Sequence, residues 1–224
     1  MGEILRDEYE KHKVRNLGLV LPEKIETREE GAEHILGAEE EIINPSAIWN
    51  WMNAEPQRRA NIETNACTVF STIRAIETLI EYKTGIRVNY LKRYLANVAK
   101  FKGVLNPSVG ADPHKICELV RTVAGCLKEG KLVEWDESIK TKEDYYNLKD
   151  IEFLIKEGQE WWNEWMFRHK WVWSNSPAPE EKQRLLKNAL QRGVVCVSVV
   201  AWKNRGGENG LYYKEVGEPD GHWT

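Results

Sequence analysis

The chain of 224 residues lacks several features that would settle its class outright. No apolar run approaches the roughly 20 residues needed to cross a bilayer, and the opening Met1-Gly2-Glu3-Ile4-Leu5-Arg6-Asp7 is charged where a secretory leader would turn apolar. Arg6 stands where a myristoylation signal beginning at Gly2 would need Ser or Thr. The four cysteines, Cys67, Cys117, Cys126 and Cys196, form no C-x-x-C pair. A zinc ribbon or thioredoxin-like site therefore has no support, and a reduced, cytoplasmic setting fits. Neither sign of charge dominates: 32 Lys and Arg against 35 Asp and Glu leave a net charge of −3. That excludes the basic footprint that nucleic acid or an anionic membrane would require. No residue grouping calls for a metal or another cofactor.

What the chain does have is 42% hydrophobic residues, enough for one substantial domain or two small ones, and ten tryptophans. Five of the tryptophans fall between Trp161 and Trp173. Residues 1–45 read as an arm with too few apolar residues for a core of its own, expected to lie on the main domain or stay partly loose. Residues 46–224 read as that domain: a helical half (46–135), a helical Trp-rich insertion (136–180) and a β half (181–224).

The domain is organised around Asn61-Ile62-Glu63-Thr64-Asn65-Ala66-Cys67-Thr68-Val69-Phe70-Ser71. Polar, turn-prone residues precede Cys67. Val69, Phe70, Ile73, Ile76 and Ile80 then recur at three-and-four spacing, which predicts a buried helix ending at Thr84-Gly85. A thiol at a helix start sits on the positive end of the peptide dipoles, which favours the reactive thiolate. Glu63 is expected to accept backbone amides in the preceding loop. A second helix is predicted over Val88–Lys100, and a third from Asp112-Pro113, an N-cap with proline at the first helical position, to Gly125. A long helix is predicted from Asp144 to Phe167 after the capped start at Thr141, and another from Glu180 to Arg192. Val194 to Trp202 is a β-branched run that reads as a buried strand, with Leu211-Tyr212-Tyr213 as a second. Two strands and an incipient third make a poor sheet, so either the chain is truncated or other segments complete it.

This layout resembles the papain-like cysteine peptidases. In Cys67-Thr68-Val69-Phe70-Ser71 the Cys, Phe and Ser are in register with the family's motif, and Trp51 is similar to its tryptophan upstream of the cysteine. The strand from Gly193, the return at Gly210-Leu211-Tyr212-Tyr213 and Gly221-His222 keep the family's order. The resemblance covers roughly Pro45 to Thr224. It is nearest to divergent forms encoded by phages and uncultured bacteria, with Ala111-Asp112-Pro113-His114-Lys115 and Gly221-His222-Trp223-Thr224 as further phrases.

The resemblance implies an α+β fold, with the cysteine on the central helix of a helical half and a β half that is antiparallel and incomplete. It implies Cys67 as nucleophile, His222 as its proton partner and Asn61 as an oxyanion donor in place of the family's glutamine, acting on a peptide or protein substrate. The family's third catalytic group follows the histidine, and only Trp223 and Thr224 follow it here. The rival reading is a non-catalytic scaffold, such as a virion component, using the Trp-rich region for self-association or a virion partner. His12, His34, His114 and His169 have no partner pattern in the sequence and are expected to be structural or solvated. Cys117, Cys126 and Cys196 are expected in core packing.

Overall fold

The computed structural model describes residues 15–16, 18–19, 35–36, 57–59, 62–130, 132–173, 177–196, 198–201 and 220–223. It is a mixed helix-and-sheet structure in which helices dominate. Among the described residues, ten short strands run in chain order as β1 (Arg15–Asn16), β2 (Gly18–Leu19), β3 (Ile35–Leu36), β4 (Arg58–Arg59), β5 (Ile62–Glu63), β6 (Leu105–Asn106), β7 (Gly110–Ala111), β8 (Met166–Phe167), β9 (Ser198–Ala201) and β10 (Asp220–Trp223). The α-helices are α1 (Cys67–Thr84), α2 (Lys92–Phe101), α3 (Pro113–Leu119), α4 (Lys142–Tyr145), α5 (Ile151–Gln159) and α6 (Pro179–Leu190).

Helix α1 forms where its apolar stripe predicts, with Val69, Ile73, Ile76, Leu79 and Ile80 all buried. It stops at Gly85, whose φ of 71° is the left-handed conformation that glycine adopts without a Cβ penalty. The Gly85 N–H closes the last turn by donating to the Glu81 carbonyl at 2.8 Å.

Helix α2 starts at Lys92, four residues later than the sequence predicts. The chain before it is extended: Tyr90 bridges Lys128, and the Leu91 N–H donates to the Leu127 carbonyl at 2.9 Å. Asp112 caps α3 as expected, its carboxylate accepting the His114 N–H at 2.8 Å. That helix widens into one π turn, Val120–Ala124, before Gly125.

The predicted long helix from Asp144 to Phe167 is replaced by four pieces. The capping box of Thr141 and Asp144 starts only the single turn of α4. Asp150 takes a left-handed conformation (φ 54°) that no α-helix can pass through, and α5 begins after it. A 3₁₀ turn, Glu160–Asn163, then leads to β8. The tryptophans here serve as core and bracing. Trp161 is buried edge-on to Tyr90 and donates its indole N–H to the Tyr90 hydroxyl at 3.0 Å, while Trp162 donates to the Val120 carbonyl at 3.2 Å.

The arm residues that are described are tied to the domain by strand pairing. β1 runs parallel to β10, β2 parallel to β7 and β3 parallel to β8. The sheet order β1-β10-β9 means that residues 15–16 supply the third strand, so one edge is parallel and only β9–β10 is antiparallel. The long strand predicted over Val194–Trp202 is shorter: Val194 to Cys196 lie outside regular structure, and the ladder begins at Ser198. The predicted strand at Leu211–Tyr213 lies outside the described residues. Among the described residues no helix is long and apolar enough to cross a membrane.

Polar groups inside the helical layer are organised around two buried carboxylates. Glu77 accepts the Lys92 ammonium at 2.9 Å and the Tyr90 N–H at 2.7 Å, and its second oxygen pairs with Arg74 at 2.6 Å. Glu134 accepts the Tyr145 hydroxyl at 2.6 Å and the Arg93 N–H at 2.9 Å. Each satisfies donors from elements distant in sequence, which is what makes a buried charge tolerable.

Candidate functional site

Cys67 is the first residue of α1, and the approach to it is tightly built. Glu63 does what the sequence reading expects, accepting the Asn65 N–H at 3.0 Å and also the Gln57 side-chain amide at 2.9 Å. Asn65 is left-handed (φ 57°) and its side-chain amide donates to the Pro107 carbonyl at 3.0 Å. The Tyr146 hydroxyl clamps the Thr64 carbonyl at 2.7 Å from a helical segment far along the chain. Ala66, which has no capping side chain, is held instead through its N–H, which donates to the Thr64 hydroxyl at 3.3 Å. Ser71, a residue of the motif, donates its hydroxyl to the Cys67 carbonyl at 3.0 Å and so braces the first turn. Cys67 itself is only 2% exposed.

His222 lies on β10, in register opposite Val199 of β9. Cα atoms of β10 come within 8 Å of those of α1, so the strand bearing the histidine lies beside the helix that Cys67 opens. Asn61, the expected oxyanion donor, lies outside the described residues, as do His12 and His34.

A second constellation was not legible in the sequence. Helix α3 and the segment after β8 flank a cavity of about 420 Å³, bordered by His114, Cys117, His169, Trp171 and Cys196. His114 and His169 are half-buried and packed against each other, the structural alternative of the sequence expectation, although the sequence showed no partner for either. His169 Nε2 lies 3.0 Å from His114 Nδ1 and 3.5 Å from a Glu118 carboxylate oxygen. Phe167 stacks on the His169 ring and Trp171 on the His114 ring. The two histidines are 55 positions apart, and the turn of β8 onto the α3 layer joins them. The one available signal was the i, i+4 spacing of His114 and Glu118 on a helix.

Burial, then the neighbouring His114, pushes the His169 pKa down to about 4. Burial acts to raise Glu118, but its pair with the Arg121 guanidinium outweighs that and holds the carboxyl below its usual value. Cys117 and Cys196 border the cavity instead of lying wholly in the core, and Cys126 is buried as expected. Burial pushes all three thiols up, Cys196 to about 11. They are protonated, weakly reactive thiols at neutral pH.

The His169 shift has a consequence for acid stability. Below pH 6.5 the unfolded chain protonates this ring, while the folded chain does so only near pH 4. Its contribution is therefore complete above pH 6.5 and is lost as pH falls to about 4, a total of about 3 kcal/mol. Urea unfolding of chelator-treated protein across this window should show the loss, and His169→Gln should flatten it. Parallel pH profiles for the two proteins would contradict the assignment.

No family model, curated protein or solved structure matches the chain.

Proposed function

We propose that the chain is a papain-like cysteine hydrolase of amide bonds, with Cys67 as nucleophile and His222 as its proton partner. The observation that carries this reading is the packing of the strand bearing His222 beside the helix that begins at Cys67. The motif residue Ser71 braces that helix start, and the loop before it is locked by Glu63, Asn65 and Tyr146. A nucleophile in a rigid, preorganised turn is what covalent catalysis requires.

In this reaction the Cys67 thiolate attacks the substrate carbonyl carbon and the C=O π pair moves onto oxygen. First-turn backbone amides and the Asn61 side chain stabilise that oxyanion. Collapse breaks the C–N bond, and the departing amine takes a proton from the His222 imidazolium. Water, deprotonated by the now neutral His222, then attacks the thioester carbon, and collapse breaks the C–S bond, releasing the carboxylic acid product and restoring the Cys67 thiolate and His222 imidazolium.

An electrophilic peptide probe should label Cys67 under reducing conditions at neutral pH. Cys67→Ser should remove the label, and His222→Ala should slow labelling by about 100-fold, as expected when a general base is lost. The raised pKa values of Cys117, Cys126 and Cys196 make those thiols internal controls. Labelling spread evenly over the four cysteines would sink the proposal. The near-complete burial of Cys67 favours a second reading, a papain-like scaffold without turnover. In that case Cys67 would react no faster than the three controls.

A further inference from the structure

The structure assigns a divalent transition-metal site, of zinc type, to His114, Glu118 and His169. Their ligand atoms all lie within 4.8 Å of one another. Two ligands on a tetrahedral ion with metal–nitrogen bonds near 2.0 Å lie about 3.3 Å apart. The observed His–His separation of 3.0 Å and His–Glu separation of 3.5 Å fall on either side of that edge length. His169 is thus placed against both other ligands at close to the separations that a bound ion would impose, and the third separation is within 4.8 Å.

The surroundings are those of a held site. Two aromatic rings, Phe167 and Trp171, fix the imidazole planes. Glu118 is oriented by two hydrogen bonds from Arg121, at 2.7 and 3.2 Å, which leave further lone pairs on its oxygens for an ion. With Nε2 of His169 turned toward the cluster, the buried Nδ1 of that ring has no hydrogen-bond partner among the described residues. Among the described residues, the polar contacts of the ring are made on the side of His114 and Glu118.

The donor set selects the ion. Two imidazoles and one carboxylate suit zinc, cobalt or ferrous iron, whereas calcium and magnesium take mostly oxygen ligands. Three protein ligands leave a fourth position for water or for a ligand occupying the cavity that both histidines border. The guanidinium on Glu118 weakens the attraction for a cation. A bound ion would pin the segment after β8 to α3. This site is independent of Cys67, and Cys67→Ala protein is expected to bind the ion unchanged.

The test uses the full chain, reduced and stripped with chelator, titrated with Zn²⁺ and separately with Co²⁺. One equivalent should bind. The cobalt form should show visible d–d absorption without the near-ultraviolet charge-transfer band that thiolate ligands produce. His114→Ala and His169→Ala should each weaken binding at least tenfold, and Glu118→Gln should do so too. Absence of binding at millimolar metal, a thiolate band, or stoichiometric binding that survives the double histidine variant would overturn the assignment. Should those variants fail to fold, diethyl pyrocarbonate modification of the wild-type chain decides the matter. Zn²⁺ should protect His114 and His169 from acylation, and equal modification with and without metal would refute the site.

Discussion

Lys92→Met is expected to destabilise the protein by about 3–5 kcal/mol, the usual consequence of removing one partner from a buried ion pair. Lys92 is 1% exposed, and its ammonium bonds both Glu77 and the Asn89 side-chain oxygen, at 2.9 and 3.0 Å. Methionine fills the volume of the stem but leaves Glu77 with Arg74 as its one remaining ion-pair partner among the described residues. Burial already raises the Glu77 pKa, with Lys92 the strongest influence opposing that rise. Without Lys92 the pKa climbs further, so the folded variant takes up a proton at a pH where the unfolded chain does not. The penalty should therefore shrink as pH falls through the raised value. Glu77→Gln in the same chain should recover much of the loss, since its amide oxygen can still accept the Tyr90 N–H. Urea unfolding of the two single variants and the double variant gives the coupling directly. A loss below about 1 kcal/mol, within the range of exposed pairs, would mean that the pair is open to water.

Gly158→Ala is expected to lower stability by about 2–3 kcal/mol, at the upper end for overpacking, although the same change inside an ordinary helix stabilises by up to about 1 kcal/mol. The sign is decided by space. A Cβ on Gly158 would lie 2.2 Å from the Tyr94 hydroxyl oxygen and 2.5 Å from the Ala124 carbonyl oxygen. Those two atoms are hydrogen-bonded to each other at 2.7 Å, so the methyl group would have to part them. The two backbones already approach closely, since a Cβ on Gly125 would lie 2.1 Å from the Gly158 carbonyl oxygen. Thermal unfolding of the variant reads the result, and a raised midpoint would show that α5 does not approach the 124–125 backbone this closely.

The contrast between these two sites and Cys67 shows what a sequence can disclose. The α1 helix was legible from end to end because its determinants are local: an apolar stripe at helical spacing and a glycine able to turn left-handed at Gly85. The Asp112 cap and the Thr141–Asp144 capping box were legible for the same reason. The break at Asp150 was not, since Ile151, Leu154 and Ile155 continue a helical spacing across a residue whose left-handed backbone has no mark in the sequence. The strand from Val194 was overread because β-branched residues report a buried, extended surface without saying whether a partner strand is there. Cys196, in the middle of that run, points its thiol at the Ser71 carbonyl 3.8 Å away and borders the cavity. The proposed pairing of Cys67 with His222 rests on a resemblance in order and register. The grouping of His114, Glu118 and His169 had no such guide, because β8 brings His169 to α3 only in three dimensions.

The two layers of the molecule also differ in how they depend on each other. The helical layer joins neighbours in sequence, such as α1 with α2, and more distant elements, such as α1 with α3 and α2 with α5. The sheet carrying His222 instead joins Arg15 to Asp220, roughly 200 positions apart, through a ladder of two residue pairs. Closing so long a loop for so short a ladder is unfavourable while the intervening chain is a random coil, because the entropic cost grows with loop length. Once the helices have folded, the path between the two strands is mostly prepaid. The sheet is thus a derivative structure whose stability is borrowed from the helical layer. Any weakening of that layer is therefore expected to loosen the strand of His222 as well.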